Sequence, residues 1–138
     1  MKRYMSLDIG DRTIGIAVSD LLGLTAQGVE TIRRKSLEDD LKRLGELMQE
    51  YETKSLVSGL PKNMDGTEGD RCAIVKEFMA EVQKAYPDVE VFFWDERLST
   101  VAATRSLIEA DVSRRKRKKV IDKMAAVFIL QGFLDSKR

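Results

Sequence analysis

The spacing of apolar residues switches from a strand to a helical period after the first third of the chain and alternates from there, and that pattern restricts the fold more than any single motif. Between residues 3 and 32 the apolar residues fall in short β-rich runs. Arg3 to Ile9 and Ile14 to Ser19 read as strands, and Gly10 to Thr13 reads as the tight turn that pairs them antiparallel. A third strand near Gln27 to Ile32 completes a meander. From Leu37 the spacing is helical: Leu37, Leu41, Leu44 and Met48 share one face, behind Ser36 and Asp39 placed as a capping box. "SLVSG" then reads as a short buried strand and "GLPKNMDGTEG" as a turn-rich loop. Ile74, Val75, Phe78 and Val82 mark a second helix, ended by Pro87. "VEVFFWDE" is a strand finishing in acids. Ser99 or Thr100 is expected to cap a helix reaching about Ile108. After a basic run, Val120, Met124, Val127, Phe128 and Leu134 mark a last helix.

The predicted order is β-β-β-α-β-α-β-α-α. An initial meander followed by βαβ alternation implies an α/β fold. Its sheet is mixed and five-stranded, a three-stranded antiparallel meander plus parallel strands, with helices on both faces. At 138 residues the chain reads as one domain. A chain of that size buries roughly two-thirds of its unfolded surface.

Composition removes several chemistries. The chain contains no histidine, which excludes Ser-His-Asp and Cys-His catalysis and the usual His-bearing zinc sites. Its one cysteine, Cys72, cannot form an internal disulfide and is expected to be structural. No apolar run approaches the ~20 residues that span a bilayer, and no signal-peptide stretch precedes "DIGDR", so a cytoplasmic location with no membrane partner is expected. The net charge of +1 is uneven: Arg114, Arg115, Lys116, Arg117, Lys118 and Lys119 are consecutive. Without them 18 basic residues face 23 acids, a body of −5 beside an intensely basic segment. Such a segment suits a polyanion, by counterion release from a nucleic-acid backbone.

Three acids occupy places where chemistry could use them. Asp8 is late in the first strand, Glu96 ends the strand "VEVFFWDE", and Asp122 lies on the last helix beside the small residues Ala125 and Ala126. Ligands bind at the carboxyl ends of parallel strands. If the first and fifth strands are neighbours, Asp8 and Glu96 enter one site and the last helix brings Asp122. Three clustered carboxylates repel one another, and a divalent cation removes that penalty. Oxygen-only ligands favour Mg²⁺ or Mn²⁺, and a pair of such ions supports phosphodiester hydrolysis without histidine. Spacing alone favours reading each acid as a solvated turn residue.

The motifs "DIGDRTIGIAVSD", "GLPKNMDGTEG", "DERLST" and "RKRKKVIDKMAAVFILQGFLD" together resemble the YqgF family of pre-16S rRNA nucleases, relatives of Holliday-junction resolvases within the RNase H-like superfamily. The match runs in order through nearly the whole chain. The resemblance implies an RNase H-like fold and maps the family's acidic centre onto Asp8, Glu96 and Asp122. It also implies metal-dependent phosphodiester hydrolysis that matures the 5′ end of small-subunit rRNA, with Mg²⁺ or Mn²⁺ as cofactor. Family members often carry Lys-Arg where this chain has Arg12-Thr13, so one cation remains at that turn.

Around this centre Arg12 can meet a phosphate, Lys62 is the expected phosphate contact of the "GLPKNMDGTEG" loop, and Arg97 can neutralise a phosphate or pair with an acid. The RRKRKK run is read as a cationic arm preceding the last helix. Phe92, Phe93 and Trp94 read as packing residues, so nucleic acid is expected to be held by backbone and shape. The expected partner is structured RNA or a pre-ribosomal particle, with branched DNA as the alternative, and either a monomer or a homodimer fits. Rival functions are a Holliday-junction resolvase, a non-catalytic ribosome-assembly factor, and an actin-like or sugar-kinase ATPase, which would need two such lobes.

Overall fold

A computed structural model describes residues 2–98 and 114–137, with the side chains of the last helix described from residue 124. The meander comprises β1 (Met5–Ile9), β2 (Thr13–Ser19) and β3 (Ala26–Arg33). It is followed by helix α1 (Leu37–Glu50), β4 (Ser55–Leu60), α2 (Asp70–Ala85) and β5 (Glu90–Asp95). A 3-10 turn (Glu96–Leu98) follows β5, and helix α3 (Arg114–Ser136) is the last element. The helix expected between Ser99 or Thr100 and Ile108 lies outside the described residues.

The five strands form one sheet in the order β3-β2-β1-β4-β5. β1 pairs antiparallel with β2, and β2 with β3, while β4 runs parallel to both β1 and β5. This is the mixed sheet that the sequence implied. One expectation is corrected: β1 and β5 are not neighbours, because β4 lies between them. β4 is buried along its whole length, as a central parallel strand with both faces covered must be.

The faces follow strand alternation. Met5, Leu7 and Ile9 enter one core with Leu44, Leu47 and Met48 of α1 and Val75, Phe78, Met79 and Val82 of α2. Tyr4 enters a second core with Ala126, Ile129, Leu130 and Phe133 of α3. Phe92 and Trp94 pack in that second core, and Phe93 turns the other way, 41% exposed. Cys72 is fully buried in the first core, as a structural residue should be.

Two helical stripes differ from expectation. Ile74 is 45% exposed, because it lies about 100° around the helix from Val75, which faces the sheet. Leu37 is 43% exposed at the start of α1, where the inward place of the first turn belongs to Asp40. Ser36 does cap α1, its Oγ accepting from the Asp39 N–H at 3.1 Å.

α1 is fastened to the edge strand by charge. Arg43 donates to Glu30 through Nε at 2.8 Å and through Nη2 at 2.6 Å. That guanidinium holds the Glu30 carboxyl below its ordinary range, against a smaller opposing push from burial. A lowered carboxyl pKa adds stability above the unfolded value and loses it as pH falls through the folded value. Both side chains are about one-third exposed (39% and 32%), so the pair contributes ~1 kcal/mol at most. Glu30→Gln should therefore lower the melting temperature slightly at neutral pH, and the gap from the unaltered protein should close below about pH 4. Thermal denaturation across pH 3–7 (a range spanning the ordinary carboxyl pKa of roughly 4.3) checks this.

Candidate active site at the carboxyl end of the parallel strands

Asp8 sits on β1 between buried Leu7 and Ile9 and is itself half-buried. Alternation turns it to the α3 face, with Ser6. Its cross-strand neighbour is the buried Gly15. Two contacts set how α3 lies on this face. Ser6 Oγ donates to the Ala126 carbonyl at 2.6 Å. Tyr4 meets Phe133 edge-on, ring centroids 5.2 Å apart. As β1 advances from Tyr4 to Ser6, α3 is therefore read backwards from Phe133 to Ala126. A further step of two residues along β1 covers about 6.7 Å and reaches Asp8. A step of one turn back along α3 covers about 6 Å and reaches the backbone of residue 122. The side chain of Asp122 lies outside the described residues.

Glu96 opens the 3-10 turn after β5 and does not end the strand, a one-residue correction. It is half-buried, with its Oε1 shielded from solvent. What fills the space between Asp8 and Glu96 is Gly59 of β4, the residue opposite Trp94. A Cβ on Gly59 would stand 2.5 Å from Ile129 Cδ1 and 3.3 Å from Glu96 Cδ. β1 and β5 are thus two strand spacings apart, about 10 Å, with a residue lacking a side chain in the middle. Among the described residues, which leave out the Asp122 side chain, no three His, Cys, Asp or Glu side chains form a metal-holding group.

The surrounding loops are tied down by hydrogen bonds. In the turn after Asp8, the Gly10 N–H donates to the Thr13 carbonyl at 2.8 Å. Arg12 is exposed on that turn, and neighbouring Asp11 is paired with Arg71 at 2.8 Å. The loop over residues 61–69 folds on itself: Asn63 N–H donates to Thr67 carbonyl, and Asp65 accepts from both the N–H and hydroxyl of Thr67. Gly66 has φ +89°, a conformation that favours glycine. Arg97 joins this loop to β5, donating to Asp95 at 2.7 Å and to the Met64 carbonyl at 3.3 Å. Of the two roles open to Arg97, the structure displays the acid pairing. The Arg97 guanidinium holds the Asp95 carboxyl below its ordinary range, with a smaller contribution from Lys62. Lys62 is half-buried at the base of the loop. The run from Arg114 to Lys119 forms the first turns of α3 and does not precede it, another correction; its side chains lie outside the described residues.

A family model described as "RuvX: Holliday junction resolvase" matches residues 2–136. The chain belongs to the RuvX family. A relative from Clostridioides difficile strain 630 is 60% identical over 98% of this chain and 95% of its own length. One from Clostridium botulinum strain Hall is 58% identical over 97% of both chains. Both carry the name "Putative pre-16S rRNA nuclease". Thermus thermophilus RuvC, solved with a Holliday junction substrate, superposes with a TM-score of 0.61 at 11% identity, covering 99% of this chain and 97% of that one. The fowlpox virus Holliday junction resolvase superposes at 0.55 and 14% identity, covering 99% of each chain. These likenesses establish the RNase H-like fold of this RuvX protein.

Three residues around the candidate site make contacts that local sequence does not announce. Ser6, Gly59 and Arg34 act through contacts with residues 120, 70 and 6 or 24 positions away, respectively. Only Gly59 stood inside a recognisable motif, and there it read as part of a turn. Gly59→Ala is expected to fold but to cost ~1–3 kcal/mol of stability through overpacking against Ile129. If Glu96 ligates a divalent cation, the same change should also weaken Mn²⁺ binding by about tenfold, roughly 1.4 kcal/mol, by displacing Glu96. Thermal denaturation and Mn²⁺ titration read the two effects separately.

Proposed function

We propose that this RuvX protein is a cytoplasmic metal-dependent nuclease that hydrolyses phosphodiester bonds in structured RNA and matures the 5′ end of pre-16S rRNA. The observation that carries this reading is the placement of Asp8 and Glu96 on one face of the sheet across Gly59, with residue 122 one helical turn from the Ser6–Ala126 bond. The names of the full-length relatives supply the substrate class.

The donor set fits a hard cation: carboxylate oxygens in a chain without histidine, one of them shielded from water. Asp8, Glu96 and Asp122 would hold one or two Mg²⁺ or Mn²⁺ ions. The bound cation supplies Lewis-acid stabilisation to phosphoryl oxygens and acidifies water. The chain's own residues hold the substrate. Arg12, exposed beyond Asp8, meets backbone phosphate. Lys62 and Arg97 add positive charge on the Glu96 side, with Arg97 also keeping the 61–69 loop in place. The cations Arg114 to Lys119 occupy the first turns of α3, ahead of Asp122. They track the backbone without reading bases. Phe92 and Trp94 are committed to the core and are not base platforms. Among the described residues no helix is long and apolar enough to cross a membrane.

A second reading, cleavage of branched DNA, is favoured by the resolvase fold. Cleavage of rRNA-precursor mimics and four-way DNA junctions, each with Mg²⁺ or Mn²⁺, separates the two. Preferential RNA cleavage that is lost in Asp8→Asn, Glu96→Gln and Asp122→Asn supports the proposal. Junction cleavage alone would assign the protein to DNA. If Asp8→Asn still matures rRNA in cells, a non-catalytic assembly role replaces both. Neutralising Arg114 to Lys119 should weaken RNA binding and flatten its salt dependence, by about 0.7 to 0.9 in log–log slope for each phosphate that the arm no longer neutralises.

A further inference from the structure

An ion pair between a half-buried guanidinium and a buried carboxylate lies beside the turn that follows Asp8. Asp40 of α1 is 2% exposed, and Arg34 at the end of β3 donates to it through Nε at 2.9 Å. The second oxygen of Asp40 accepts the Lys35 N–H. Arg34 Nη1 reaches past this pair to the Gly10 carbonyl at 2.8 Å. Its own N–H donates to the Arg12 carbonyl at 2.9 Å. The guanidinium also stacks over the buried Phe78 ring of α2, 5.0 Å from its centroid. One side chain thus joins α1, α2 and the β1–β2 turn.

A buried ion pair is a poor source of stability, since well-packed apolar residues often do as well or better. Its distinguishing property here is geometric. Only a planar fork can bond Asp40 on one side and the Gly10 carbonyl on the other. Gly10 is two residues beyond Asp8, and two bonds from Arg34 grip both ends of the turn, at Gly10 and Arg12. We propose that Arg34, oriented by Asp40, is a positioning residue for the carboxylate centre: it fixes the β1–β2 turn and thereby the direction in which Asp8 is presented. This inference rests on the metal-centre reading of Asp8.

The test uses the full chain and Mn²⁺ alone as the probe. The double variant Arg34→Met/Asp40→Leu removes both charges together, and Arg34→Lys keeps the charge but not the fork. Three quantities are read: the melting temperature, amide hydrogen exchange across residues 9–13 without metal, and the Mn²⁺ dissociation constant. The double variant is expected to melt at or above the unaltered protein's temperature, to exchange faster in the turn, and to bind Mn²⁺ about ten- to a hundredfold more weakly. A purely structural role would move the melting temperature and leave the dissociation constant alone. A folded double variant that binds Mn²⁺ as tightly as the unaltered protein overturns the inference while leaving the metal-centre reading intact. If the double variant fails to fold, Arg34→Lys decides on the same two readouts, faster exchange with weaker binding supporting the inference and unchanged binding overturning it. If the unaltered protein binds Mn²⁺ no better than Asp8→Asn, the metal-centre reading itself fails and this inference falls with it.

Discussion

The docking of α3 on the sheet is fixed by directional hydrogen bonds, from Ser6 Oγ to the Ala126 carbonyl at 2.6 Å in the buried core and from the Ala26 N–H to Gln131 Oε1 at 3.0 Å at the edge strand. The apolar contacts around them would by themselves tolerate a slide. Ile129 and Leu130 are fully buried, and burial of each stabilises by ~1.5–3 kcal/mol wherever it finds apolar cover. A buried hydroxyl is less forgiving, because it loses its partner if the helix shifts by one residue. Ser6 thus converts a non-directional attraction into a fixed register, and the position of residue 122 relative to Asp8 follows from it.

Shape reinforces that register at two glycines. Ile129 fills the place where a Gly59 side chain would stand, and Trp94 lies against Gly132, its ring atoms 3.1 Å from where a Cβ would be. A mid-helix glycine costs about 1 kcal/mol relative to alanine. Here it lets an indole ring seat against the helix. At the far end of the sheet Tyr4, Phe92 and Phe133 form an edge-to-face cluster, with Lys2 and Lys137 over their faces. The carboxyl ends of β1 and β5 are left for charged groups, in the usual place for a ligand in an open α/β sheet.

Much of the fold was legible because local chemistry and tertiary structure agree. Alternation over β1 and β2, the Gly10 turn, the Ser36 cap and the stripe through Leu44 and Met48 each describe an element that the packing then uses. Strand adjacency was not legible: nothing local in "SLVSG" says that β4 inserts between β1 and β5. The same blindness applies to the pairs that shape the site. Asp40 reads as a favourable acid in the first turn of a helix. Only three-dimensional packing turns it into the buried partner of Arg34. The basic run shows the opposite failure. Its charge was evident, but six cations in sequence read as an arm, whereas their backbone continues α3.

Every functional statement returns to one spatial claim, that Asp8, Glu96 and Asp122 converge on a common cation. The most direct measurement is an anomalous difference map from crystals soaked in Mn²⁺. A peak about 2.2 Å from carboxylate oxygens of all three residues is the expected result. A fully occupied Mn²⁺ bound elsewhere, with the three carboxylates directed apart, would contradict it.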